Sequence, residues 1–238
     1  MSRAARPLAI AGLLITAAAG ASWIGHGHWT PSRNAYPVQG IDVSHHQGRI
    51  EWRKLRAQGV DFAYIKATEG GDFHDPRFAE NWAAAGAAGI PRGAYHFFTL
   101  CRPGAEQATN FVTVVPNDAT ALPAAVDLEF LGNCQGKDAS NRVELHRELR
   151  AFLGKVEAHT GRPAILYLTE EFDHAFGISA AFDRPLWLRN IVLEPRFGKR
   201  SWTIWQASNF RRLDGIEGRV DWNAADLTNR GLPPLSPP

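Results

Sequence analysis

From residue 38 onward the chain alternates short apolar runs with longer amphipathic ones. Residues 38–44, 61–68, 90–98, 122–130 and 163–169 are rich in β-branched and aromatic residues and read as strands. Between them the apolar period changes to that of a helix. One helix is predicted over 50–58, closed by Gly59; a second is opened by Asp75 as N-cap with Pro76 in its first turn and runs to Ala88; a third covers 103–115. A fourth, 140–160, carries Val143, Leu145, Leu149, Phe152, Leu153 and Val156 as its apolar positions and stops at Gly161. After a short helix at 171–177, three more strands (185–191, 202–208 and 218–222) follow with little helix between them. Strands that are apolar throughout and separated by helices belong to a parallel sheet covered on its outer face. Eight of them predict an α/β fold closed into a modified TIM-like barrel, with five β-α units followed by three strands.

The front end differs. Arg3 and Arg6 precede an apolar stretch at 8–24, and no Asp, Glu, Lys or Arg occurs between Pro7 and Ser32. Small residues around Ala19 and Ala21 offer cleavage sites, so residues 1–24 read as a signal peptide. Seventeen residues, 8–24, are also at the short limit for a bilayer span, so an uncleaved membrane anchor stays open. Both readings place the rest of the chain outside the cytoplasm, periplasmic or extracellular. Residues 25–37, with Gly and two Pro, read as a linker, 38–230 as one catalytic domain, and 231–238 as a Pro-rich tail.

Composition narrows the class. The 238 residues are 45% hydrophobic and 21% charged, which is a globular balance. Beyond the two front-end arginines the basic residues balance the 24 acidic ones, so no basic field suggests nucleic acid. Eight Trp are many for this length; aromatic rings stack on sugars and also fill cores. Cys101 and Cys134, an even pair in an exported chain, are expected to form a disulfide.

In a parallel barrel the chemistry sits at the C-terminal ends of the strands. Asp42 ends the first strand, Lys66 and Glu69 the second, His96 the third, Asp127 and Glu129 the fourth, and Asp221 the last. Asp127 and Glu129 stand at i and i+2 inside AVDLEF, so both leave one face of the strand, with Cα atoms about 7 Å apart. Two acids in an apolar strand are costly unless they are paired or used. Glycoside hydrolysis uses such a set: one carboxyl protonates the leaving oxygen and another group stabilises the oxocarbenium-like centre. With 2-acetamido sugars the acetamide oxygen itself attacks, oriented by the Asp. The expectation is a raised pKa for Glu129 and an ordinary or lowered one for Asp127.

These residues carry a resemblance. GIDVSHHQGRIEW (40–52), FAYIKATEG (62–70), the 75–98 stretch ending in GAYHFF, AAVDLEF (124–130), ILYLT (165–169), PLWLRNI (185–191), WTIWQAS (202–208) and GRVDWNAAD (218–226) resemble, in order, the N-acetylmuramidase lysozymes of glycoside hydrolase family 25. The resemblance implies cleavage of the β-1,4 bond from N-acetylmuramic acid to N-acetylglucosamine in peptidoglycan, without a cofactor. It implies Glu129 as general acid and Asp127 as its partner, with Asp42 and Asp221 as two further acids. Tyr64, Tyr167 and Gln206 match positions expected to line the sugar groove. Glu69 and His96 join them as candidates from their strand-end positions, and Trp187 as an aromatic ring placed to stack on sugar. One position departs: where the family resembles W-[VI]-A-x-Y, this chain reads Trp187-Leu188-Arg189-Asn190-Ile191, which bears on substrate details.

Other signals weigh less. His26, His28, His45 and His46 lack any metal-binding spacing, so no metal is expected. His96 reads as a hydrogen-bonding residue of the barrel mouth and Lys66 as an ion-pair partner. Trp187 and Trp205 could stack on sugar or pack. Two alternatives stay open: a chitinase-like hydrolase, which also uses D-x-E on a barrel strand, and a non-catalytic wall-binding module. Oligomeric state is not readable.

Overall fold

The computed structural model describes residues 27–130 and 141–226. The strands are β1 (Val38–Val43), β2 (Phe62–Glu69), β3 (Phe73–His74), β4 (Arg92–Phe97), β5 (Ala125–Leu128), β6 (Ile165–Leu168), β7 (Leu186–Arg189), β8 (Ile204–Arg211) and β9 (Val220–Ala225). The helices are α1 (Trp52–Ala57), α2 (Phe78–Ala87), α3 (Gly104–Val114), α4 (Arg142–Thr160), α5 (Glu170–Phe176) and α6 (Ile178–Ala181). Eight strands close a barrel in the order β1-β9-β8-β7-β6-β5-β4-β2, and β2 pairs back onto β1; β3 only adds a two-residue hairpin to β2. Helices follow each of the first five barrel strands, and the last three strands have none between them among the described residues.

The barrel is not wholly parallel. β9 runs antiparallel to both β8 and β1. Asp221 therefore enters the mouth from the beginning of its strand, not from its end. A strand's direction depends on which way the preceding loop returns, and a one-strand sequence pattern carries no sign of it.

Two apolar clusters share the wall. One lies between strands and helices and includes Phe98, Phe111, Phe152 and Leu166. The other fills the barrel interior with Phe62, Tyr64, Leu122, Ala125, Ile165, Tyr167, Trp187 and Ile204. Alternate residues of each strand feed the two clusters, as pleating requires. On α4, Leu145, Leu149, Phe152, Leu153 and Val156 are buried at helical spacing, whereas Val143, expected on that face, is 78% exposed in the first turn. Asn141 caps α4 by accepting from the Glu144 N–H at 3.0 Å, and Gly161 ends it in the left-handed region at φ 69°.

Two local expectations change. Asp75 does not cap α2, which begins at Phe78. Its carboxylate instead accepts from the Arg77 and His45 backbone N–H groups and pairs with the His45 ring at 2.9 Å, tying the loop after β1. Residues 28–37 are not a loose linker. Trp29 and Tyr36 pack with Trp202 and Trp205 on the outer wall, and Arg33 pairs with Asp61 at 2.7 Å. The expected leader at 1–24, the tail at 231–238 and Cys134 lie outside the described residues. Among the described residues no helix is long and apolar enough to cross a membrane.

Candidate active site

A cleft of about 520 Å³ opens at the barrel mouth, and the acids collect there. Asp127 projects from β5, Glu129 follows one residue past its end, Asp42 comes from β1 and Asp221 from β9. Tyr95, Tyr167 and Trp187 form aromatic walls, with Arg189, Gln206, Asn209 and Arg219 as polar lining.

Strand register explains the gathering. Asp42 and Asp221 are direct partners across the antiparallel β1–β9 pair, about 5 Å apart at Cα. Asp127 is in register with Tyr167, Tyr167 with Trp187, Arg189 with Gln206, and Gln206 with Asn223. Side-chain bonds link residues of these strands across the mouth. Asn223 and Gln206 donate to Asp42 Oδ2 at 2.7 and 3.1 Å; the Trp187 indole donates to Asn223 at 2.9 Å and the Tyr167 hydroxyl to Gln206 at 2.9 Å. The chain of donors fixes the Asp42 carboxylate.

Environment then sorts the four carboxyls. Burial pushes Asp42 up to about 6, held back by the Asn223 and Gln206 bonds and by the Arg189 charge. Burial, then the Asp42 charge, pushes Asp221 up to about 8. Burial raises Glu129, while Arg189 favours its ionised form. Asp127 is raised well above the carboxylate range by burial and then by the charges of Glu129 and Asp42. That reverses the expectation of an ordinary or lowered Asp127. The reason is local: among the described residues its Oδ1 is buried with no hydrogen-bond partner.

The remaining candidates divide. Tyr167, Trp187 and Gln206 line the cleft. Tyr64 does not; it is fully buried in the barrel interior and donates to the Pro123 carbonyl at 3.1 Å. His96 faces the helices, not the mouth. Its ring lies 4.8 Å from that of Phe152, its nitrogens bond Thr68 at 2.7 Å and Gln107 at 3.1 Å, and burial lowers its pKa to about 3. Glu69 pairs with Lys66 at 2.5 Å, so Lys66 is an ion-pair partner as expected. Trp205 packs outside the barrel and donates to the Asn190 carbonyl at 2.6 Å. Among the described residues no group of His, Cys, Asp and Glu could hold a metal.

Tyr95, Asn223, Asn209 and Arg219 belong to the site or its support and escaped the sequence reading. For Tyr95 the available signal was Gly93, two residues earlier. A Cβ there would lie 2.4 Å from the Tyr64 ring, so position 93 faces the barrel interior and position 95 shares its face.

The profile of the family described as "Glycosyl hydrolases family 25" matches residues 41–216. The chain belongs to that family. Lysozyme M1 of Streptomyces globisporus is 35% identical over 199 residues, covering 78% of this chain and 67% of its own. A family 25 glycosyl hydrolase from Bacillus anthracis superposes with a TM-score of 0.76 at 35% identity, over 86% of this chain and 94% of its own. A bacterial lysozyme from Streptomyces coelicolor superposes at 0.70 with 34% identity, over 79% and 92%. This family 25 member is a glycoside hydrolase, and its barrel is the family's barrel.

Proposed function

We propose that the cleft binds peptidoglycan glycan strands and hydrolyses the β-1,4 bond from N-acetylmuramic acid to N-acetylglucosamine, with Glu129 as proton donor and Asp127 as the acetamide-orienting group. The observation that carries this is Asp127 Oδ1, a buried acceptor without a partner among the described residues, beside a second carboxyl in a cleft walled by aromatic rings. An acetamide N–H from the substrate supplies the missing donor.

The steps balance without a cofactor. The Glu129 carboxyl gives its proton to the bridging oxygen as the bond from C1 breaks. The acetamide carbonyl oxygen of the muramic sugar bonds to C1, and its N–H, now acidic, donates to Asp127 and favours its ionised form. Water then attacks C1, its proton passes to the Glu129 carboxylate, and the acetamide oxygen leaves with configuration retained. Asp42, held ionised by two donors, and Asp221, held protonated, offer an acceptor and a donor to sugar hydroxyls and water.

The same reading puts the enzyme outside the cytoplasm, with residues 1–24 as signal peptide or anchor and with Cys101 bridged to Cys134. The uncharged apolar run at 8–24 and the even count of two cysteines support it. The test incubates purified sacculi with the full chain and with Glu129→Gln. New reducing ends on N-acetylmuramic acid, absent with the variant, are expected in the mass spectrum. Ends on N-acetylglucosamine, or preference for chitin oligomers, overturn the reading.

A further inference from the structure

Arg189 stands at the end of β7 and lines the cleft among the four acids. Its charge acts on Asp42, Glu129 and Asp221 through space, and among the described residues its guanidinium donates no hydrogen bond. An Arg that only neutralised its neighbours would close onto a carboxylate, because a forked pair is the strongest bond it can form. Here, among the described residues, the donors of a side chain that lines the cleft are uncommitted.

The backbone that presents this side chain is held tightly. The Asn190 N–H donates to the Gln206 carbonyl at 3.2 Å, and the Val192 N–H to the Ala207 carbonyl at 2.7 Å. The Trp205 indole holds the Asn190 carbonyl. Val192 sits at φ 70°, the one non-glycine residue with positive φ among those described, and β-branched residues avoid that region. Such strain costs about 1–3 kcal/mol and gathers where a function needs the geometry. The strand exit therefore holds Arg189 at a set place with its donors uncommitted.

We infer that Arg189 is a specificity-determining residue that pairs with a carboxylate on the lactyl arm of the bound muramic sugar. This rests on the muramidase reading. The carboxylate has two sources: the free lactyl acid of a peptide-free strand, or an acidic residue of an attached stem peptide. Both match a planar fork of donors. Neither exists on an N-acetylglucosamine polymer.

The test measures binding, so that it does not depend on turnover. The full chain with Glu129→Gln, and the same chain with Arg189→Ala added, are titrated calorimetrically with three muramic acid-containing tetrasaccharides. These carry a free lactyl carboxylate, a lactyl carboxamide, or a stem peptide with its acidic residues. Alanine is the residue the family resemblance implies at 189, and circular dichroism checks the fold. The Arg189 chain is expected to prefer a carboxylate-bearing ligand over the carboxamide by about tenfold, the value of one charge-assisted pair of ~1.4 kcal/mol. Arg189→Ala is expected to bring that ratio to about one, and Arg189→Lys to keep part of it. Preference for the free acid assigns the lactyl carboxylate, and preference for the peptide-bearing ligand alone assigns the peptide acid. Equal loss on all three ligands, no preference in the parent, or no binding overturns the proposal. If binding behaves as expected while sacculi release no muramic ends, the cleavage reading fails and the recognition stands.

Discussion

His96 and Asp127 stand on neighbouring strands of one barrel wall and face opposite ways. His96, on the helix side, has both ring nitrogens bonded and is held neutral by burial. Asp127, on the cleft side, keeps an oxygen without a partner among the described residues, and burial with neighbouring charge raises its pKa. A buried polar group that serves the fold is satisfied within the fold, while one that serves a substrate is left for the substrate to satisfy.

The sharpest way to break this contrast is on the cleft side. Glu129→Gln is expected to lower kcat by ~10²–10⁴-fold, the contribution of a positioned general acid, measured as muropeptide release with Tm unchanged or raised. Asp127→Asn is expected to cost ~10²–10³-fold in kcat, comparable to loss of one preorganised electrostatic contact, and to stabilise the fold in thermal melts. A destabilised Asp127→Asn would mean that the carboxyl is structural.

On the helix side the signs exchange. His96→Ala is expected to cost ~2–4 kcal/mol in denaturant unfolding, from a cavity beside Phe152 and the loss of the Thr68 and Gln107 bonds, with kcat of the folded fraction within twofold. A large loss of kcat at unchanged stability would return His96 to the site.

Asp221 sharpens the comparison through pH. Its pKa rises from 3.8 unfolded to about 8 folded, so between those values the native state binds more protons than the unfolded chain. Stability is present below pH 4 and falls as pH rises through 8. Asp221→Asn removes that slope, so its advantage in melting should grow from near zero at pH 4 to ~2 kcal/mol or more at pH 8. A constant difference across that window would contradict the raised value. The smallest effect is expected at Tyr64→Phe, about 1 kcal/mol for one buried hydrogen bond to Pro123, seen in unfolding and not in KM.

The barrel and its acids were legible in the sequence because strand and helix periods are local properties. AVDLEF puts Asp127 and Glu129 on one face whatever surrounds it, since successive strand residues alternate sides. Apolar runs, the helix stop at Gly161 and the acid near the end of the first strand, Asp42, were readable for the same reason. Which face turns inward was not. On β4 the alternation that puts Gly93 and Tyr95 on the interior face turns His96 to the helices, and the strand alone does not say which of the two faces is the inner one. The direction of β9, the opposition of Asp42 to Asp221, the missing partner of Asp127 and the uncommitted donors of Arg189 are relations between distant strands. They depend on register and closure, which are decided only when all eight strands meet.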